Sequence, residues 1–144
     1  MIQEIGAGPG WFLTSNLNLG YTVLYLGDDH QAVSFFRQAL SLSRERNEKR
    51  GVVDSLAGFA AVAAARGKAE AAARLYGAAE AQYQGLLTEG KTIDSLIDLV
   101  DRREFERYQG ICRDRLGEAA FEAAWAEGRG LTLEQALAEA LAIS

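Results

Sequence analysis

A pattern of small and aromatic residues returns forty positions later in this chain of 144 residues. The first copy has Leu19-Gly20, then Gly27, Ala32, Phe36 and Ala39; the second has Phe59-Ala60, then Gly67, Ala72, Tyr76 and Ala79. The turn glycine, both alanines and the aromatic keep their offsets. Self-similarity at a period of about 20–50 residues marks a repeat architecture built from helix pairs, none of which can bury its apolar face alone. Units of this kind must stack, and the stack's usual product is a binding surface.

The composition agrees with helix throughout. The only proline is Pro9, and the chain is rich in Ala, Leu, Glu and Arg, all good helix formers. A formal net charge of −5 argues against a nucleic-acid partner, which needs a basic face to displace counterions from phosphates. The one dense basic stretch, from Arg44 to Arg50, is interleaved with Glu45 and Glu48 and reads as a solvated helix end. Cys112 is the only cysteine, so an internal disulfide is excluded. The longest apolar run, Leu56 to Ala65, falls well short of the roughly 20 residues that span a bilayer. With no signal-peptide pattern at the start, these features predict a cytoplasmic protein with no membrane partner.

Element by element, residues 1–10 read as a flexible leader and 11–144 as one helical domain. A first helix over about 11–26 carries so few polar positions that burial on more than one side is expected. Gly27 ends it, Asp28-Asp29 starts the second helix, and that helix closes before Gly51. A third helix, 52–66, is unusually small-sided; Gly67 separates it from a fourth, where Glu70 is placed to pair with Arg74 and Glu80 with Gln84. The repeats thus occupy about 13–50 and 53–85, and C-terminal helices about 93–142. Among the latter, Ile93, Leu96, Ile97 and Val100 fit a short amphipathic segment. Asp101 with Glu104 reads as a capping box, Phe105, Tyr108, Cys112 and Leu116 form one stripe, Gly128-Arg129-Gly130 ends the next helix, and Thr132 with Gln135 is a second capping box.

These residues resemble tetratricopeptide repeats, whose first helix carries a Leu-Gly or similar pair and whose second carries Ala, an aromatic and Ala. The period of forty exceeds that family's usual spacing. In this respect the chain is similar to the repeat regions of large bacterial signal-transduction ATPases and of transcription regulators related to the maltose activator. Two further stretches carry the resemblance: residues 72–81, Ala-Ala-Arg-Leu-Tyr-Gly-Ala-Ala-Glu-Ala, and residues 116–136, with Leu116-Gly117-Glu118-Ala119-Ala120-Phe121 and Trp125-Ala126-Glu127-Gly128-Arg129. The resemblance implies an all-α superhelix of hairpins with a C-terminal helical cap. It also implies a non-catalytic interaction or regulatory role within a bacterial regulator; a small-ligand sensor and a stand-alone adaptor are the alternatives.

Residue types that carry chemistry are sparse. Asp28, Asp29 and the sole histidine, His30, point in different directions at a helix start and read as capping residues, not metal ligands. Cys112 falls on an apolar stripe and reads as a packed thiol. Asp98 with Asp101, and Glu104 with Glu106, lack an acid–base partner. No catalytic, metal or cofactor residues are therefore expected. The resemblance places the first helix of each repeat on the concave side, where carboxylate-gripping relatives carry Lys and Asn. Here those positions are Leu17 and Tyr21, then Ala57 and Ala61. An apolar groove suits an amphipathic helix. Leu17, Tyr21, Leu24 and Tyr25 are the candidate groove for a protein partner, helix or peptide; the alternative is that the chain's own C-terminal helices, or a second subunit, cover them.

Overall fold

Gly27 and Gly67 do in three dimensions what their spacing suggests. A computed structural model describes residues 8–86 and 99–143, with side chains over 15–86 and 103–143. Both glycines take the left-handed conformation, at φ 96° and 82°, directly after a helix. Each helix end is closed by the same pair of backbone bonds: Gly27 N–H to Leu24 (3.0 Å) with Asp28 N–H to Val23 (2.8 Å), and Gly67 N–H to Ala64 (3.1 Å) with Lys68 N–H to Ala63 (2.9 Å). Asn47 makes a third turn of the same type midway between them, at φ 54°, with Glu48 N–H bonded to Ser43 at 2.9 Å. Asparagine is the residue other than glycine that best tolerates this conformation.

The described residues fold into seven helices, with no strand among them: α1 (Gly8–Tyr25), α2 (Asp29–Glu45), α3 (Lys49–Ala65), α4 (Ala69–Gly85), α5 (Leu99–Leu116), α6 (Glu118–Arg129) and α7 (Leu133–Ile143). The all-α class read from composition is correct; several boundaries are not. Helix α1 begins at Gly8, inside the expected leader, since Pro9 is tolerated in a first turn. The second helix does end in the charged run before Gly51, with its turn at Asn47, but α3 starts at Lys49 and not at Val52, so Gly51 is buried within it. Asp101 lies inside α5 and does not cap it. The Gly128-Arg129-Gly130 stretch does end α6, with Gly130 as its C-cap, although Gly128 itself lies inside the helix. The box at Thr132 and Gln135 forms fully, with reciprocal bonds of 3.1 and 2.9 Å. The expected segment around Ile93, Leu96 and Ile97 lies outside the described residues, as do residues 1–7.

Hairpin α1–α2 packs on α3, and hairpin α3–α4 packs on α5, α6 and α7. At the first junction the Phe36 ring fills the space over two glycines. A Cβ on Gly20 would sit 2.6 Å from its Cε1, and Gly58 faces the same ring equally closely. The ring meets Tyr21 edge-on at 5.1 Å and Phe59 at 6.2 Å. At the second junction backbones approach directly. A side chain on Gly77 would collide with the Trp125 carbonyl, and one on Gly128 with the Arg74 carbonyl. That contact between α4 and α6 is framed by polar bonds. Arg74 donates to Glu127 (2.8 Å) and, through two nitrogens, to Glu139 (3.1 and 2.8 Å), so its partners are these and not the Glu70 expected from sequence. Glu80 accepts from the Trp125 indole (3.1 Å), and pairs with Arg129 (2.8 Å). Arg66 ties the two ends together, binding Asp29 of α2 and the Ile143 carbonyl of α7 (2.9 Å).

Candidate functional site

Helix α1 carries two apolar stripes. Leu17, Tyr21 and Leu24 follow i, i+4, i+7 spacing; so do Leu19, Val23 and Leu26, two residues further on. Two residues turn an α-helix by about 200°, so the stripes lie on opposite faces. The structure treats them oppositely. Leu17, Tyr21 and Leu24 belong to the hydrophobic core, whereas Leu19 and Leu26 are 42% and 75% exposed, with Val23 half-buried between them.

This corrects the expected groove. Three of its four residues, Leu17, Tyr21 and Leu24, are enclosed by the chain itself and present no open face. The physical reason is that α1 meets α2 and α3 through this stripe, with Tyr21 against Phe36. Only Tyr25 remains accessible, at 61%, and its ring lies 4.6 Å beneath the guanidinium of Arg107 from α5. Ala57 and Ala61, the matching positions of the second copy, are buried as well. The large exposed apolar side chains among the described residues are Leu19, Tyr25 and Leu26, all on or just after α1. Sequence reasoning missed Leu19 and Leu26. Their signal was present as the second stripe, but a two-faced apolar helix reads as buried on both sides.

A buried polar cluster lies in the core near Tyr21. The Tyr76 hydroxyl and the Glu104 Oε2 atom are enclosed without a hydrogen-bond partner. Burial raises the Tyr76 phenol well above its ordinary value, and the nearby Tyr21, Cys112, Tyr108 and Glu104 add to this. Burial likewise raises Tyr108, and pushes the Cys112 thiol up to about 11, although Arg115 opposes it. At neutral pH these groups are uncharged, so Cys112 is a thiol and not a thiolate. At the first turn, Asp28 accepts from Gln31 N–H (3.0 Å) and the Asp29 carboxylate is engaged by Arg66, so both expected capping residues are committed to the fold.

Two clefts open elsewhere. One, of about 210 Å³, lies between the α2–α3 turn and α7, lined by Arg44, Asn47, Lys49, Leu133 and Glu134 among others. The second, of about 280 Å³, is floored by Leu116, Ala120, Ala123 and Ala124 with Glu70 and Glu127 at its rim. Both mix charges of the surface with helix edges. No helix among the described residues is long and apolar enough to cross a membrane. Comparison with protein-family models, with curated proteins and with solved structures found no match.

Proposed function

We propose that this chain is a non-catalytic interaction or regulatory segment, working in the cytoplasm, with protein as its partner. In this reading it corresponds to the tetratricopeptide-type repeat region of a bacterial transcription regulator or signalling ATPase, which its sequence resembles. The observation that carries this reading is the concentration of exposed Leu19, Tyr25 and Leu26 at one end of the helical stack. Large apolar side chains gathered in one exposed place mark a contact surface more often than chance. The resemblance gains some support from the packing of α4 on α6. The two stretches that carry it, 72–81 and 125–129, meet through Gly77, Gly128, Arg74 and Glu80. The net charge of −5 argues against nucleic acid as the direct partner of this segment.

Site-specific photocrosslinking in cells tests the reading. A crosslinker at Leu26 is expected to yield a discrete protein adduct, and one at exposed Glu122 on α6 none. Equal, diffuse labelling at both positions would sink it.

A second reading has its own observation. The unpartnered Tyr76 hydroxyl and Glu104 carboxylate oxygen favour a small polar effector bound between α4 and α5. A thermal-shift screen with sugars and other polar metabolites separates the two. A stabilising hit lost in Tyr76→Phe supports the effector; no hit leaves the interaction reading as the better one.

A further inference from the structure

The forty-residue register predicts which face of each first helix receives the unit before it. Phe59 of α3 packs on Phe36, the aromatic of the preceding hairpin's second helix, with ring centroids 6.2 Å apart. Phe105 of α5 packs in the same way on Tyr76, the equivalent aromatic of the next hairpin, at 5.1 Å. Both are nearly or fully enclosed by this contact. Leu19 is the counterpart of Phe59 by register, and Val23 the counterpart of Ala63. Phe59 is 1% exposed where Leu19 is 42% exposed. The face of α1 that corresponds to a buried junction in α3 and α5 is therefore open, and it keeps the apolar residues of a junction.

The other end of the stack shows what a closing helix looks like in this chain. With Phe105 aligned on Phe59, the opposite stripe of α5 is Arg103, Arg107 and Gly110: both arginines are exposed, Arg107 lies over the Tyr25 ring, and Gly110 is half-buried. In α1 the stripe opposite the core is apolar, with the exposed polar side chains of Asn18 and Thr22 beside it. By register its stripes correspond to Ala57, Ala61 and Ala64 on one side of α3 and to Phe59 and Ala63 on the other, all buried, while the counterpart of Leu26 is the charged Arg66.

We propose that the Leu19–Val23–Leu26 face of α1 is a docking surface for a further helical hairpin of the same construction, one whose second helix presents an aromatic side chain flanked by alanines. This rests on the interaction reading above and names its partner. A second copy of this chain does not supply the required aromatic, because Phe36 and Tyr76 are both fully buried in their own junctions. The expected contact is the quasi-equivalent of Phe59 on Phe36: Leu19 seats on the partner's aromatic, and a small residue at Gly20's or Gly58's equivalent leaves it room.

A tandem duplication tests this in the folded protein. Residues 8–48 are repeated and joined to Pro9 of the chain in place of residues 1–8, which keeps the period at forty and places a Phe36-bearing helix over the parental Leu19. The added hairpin is expected to raise Tm by about 5 °C or more, in a single transition. Leu19→Glu in the parental copy is expected to remove that gain, while shifting Tm of the unduplicated chain by no more than about 2 °C. Phe36→Leu in the added copy alone is expected to remove part of it. The proposal is overturned if the duplicated hairpin melts separately, or if Leu19→Glu has the same effect in both chains. It is also overturned if light scattering shows the natural chain to be a dimer that Leu19→Glu dissociates, since the occupant is then a second copy. A discrete crosslink at Leu26 together with any of these outcomes keeps the interaction reading and discards the hairpin.

Discussion

The two hairpins share a sequence pattern and differ in their surroundings. In α3–α4, Leu56, Phe59, Leu75 and Tyr76 are enclosed almost completely, because helices lie on both sides. In α1–α2 the counterparts Asn16 and Phe36 are buried too, but Leu19 and Phe35 are exposed and half-buried, with no described helix enclosing them. Burial in this fold follows a residue's place in the stack as much as its type. The same contrast runs through single positions. Gly77 touches the backbone of α6, whereas its counterpart Arg37 is exposed. Arg74 binds two carboxylates on α6 and α7, whereas its counterpart Ser34 faces solvent.

Four tests set the hairpins against each other. Phe59→Ala removes a fully enclosed ring and is expected to cost about 3–5 kcal/mol in urea unfolding. Leu19→Ala, its counterpart, is expected to cost less than about 1 kcal/mol. Equal losses would mean that the two faces are buried alike in solution. Next in size is Gly77→Ala. Its methyl group collides with the Trp125 carbonyl, and overpacking of this kind costs about 1–3 kcal/mol, with near-UV circular dichroism of Trp125 altered as α6 moves.

The helix caps give a smaller difference. Asp28 bonds the Gln31 N–H, while Lys68 at the matching place makes no side-chain cap bond. Asp28→Ala is expected to lower stability by about 0.5–2 kcal/mol, and Lys68→Asp to raise it by up to about 1 kcal/mol. A neutral Lys68→Asp would show that the α4 N-terminus is satisfied by other means.

The smallest effect is one of pH. The hydrogen bond from Arg66, aided by its charge and opposed by partial burial, holds the Asp29 carboxyl below its ordinary value of 3.8. A depressed folded value means that the contribution is complete above the unfolded value and is lost as pH falls through the folded one. Titrating stability from about pH 5 to pH 2 should therefore show a loss on the acid side that is reduced in Asp29→Asn. The second hairpin has Ala69 at this position and contributes nothing of the kind.

Much of the fold was legible because its signals are local. Gly27 and Gly67 end helices through their own backbone conformation, and Thr132 with Gln135 closes a box within four residues. The turn at Asn47 was missed because the more conspicuous Gly51 drew the boundary three residues too far along. The groove was misplaced for a different reason. Leu17 and Leu19 are equally apolar, and their sequence spacing gives each a full stripe. Nothing local says which stripe meets a neighbour.

What the sequence by itself determined is periodicity: the helices, their turns and the quasi-equivalence of Leu19, Phe59 and Tyr76 with their partners in register. Those properties depend on bonds between residues a few positions apart. The tertiary structure alone decided enclosure: that Gly128 serves a backbone contact and not a helix stop, that Arg74 turns from Glu70 to Glu127 and Glu139, and that Tyr21 is core while Leu26 is surface. Each of these depends on which helix lies across the way, and that is fixed by how whole faces pack, not by any one stretch of chain.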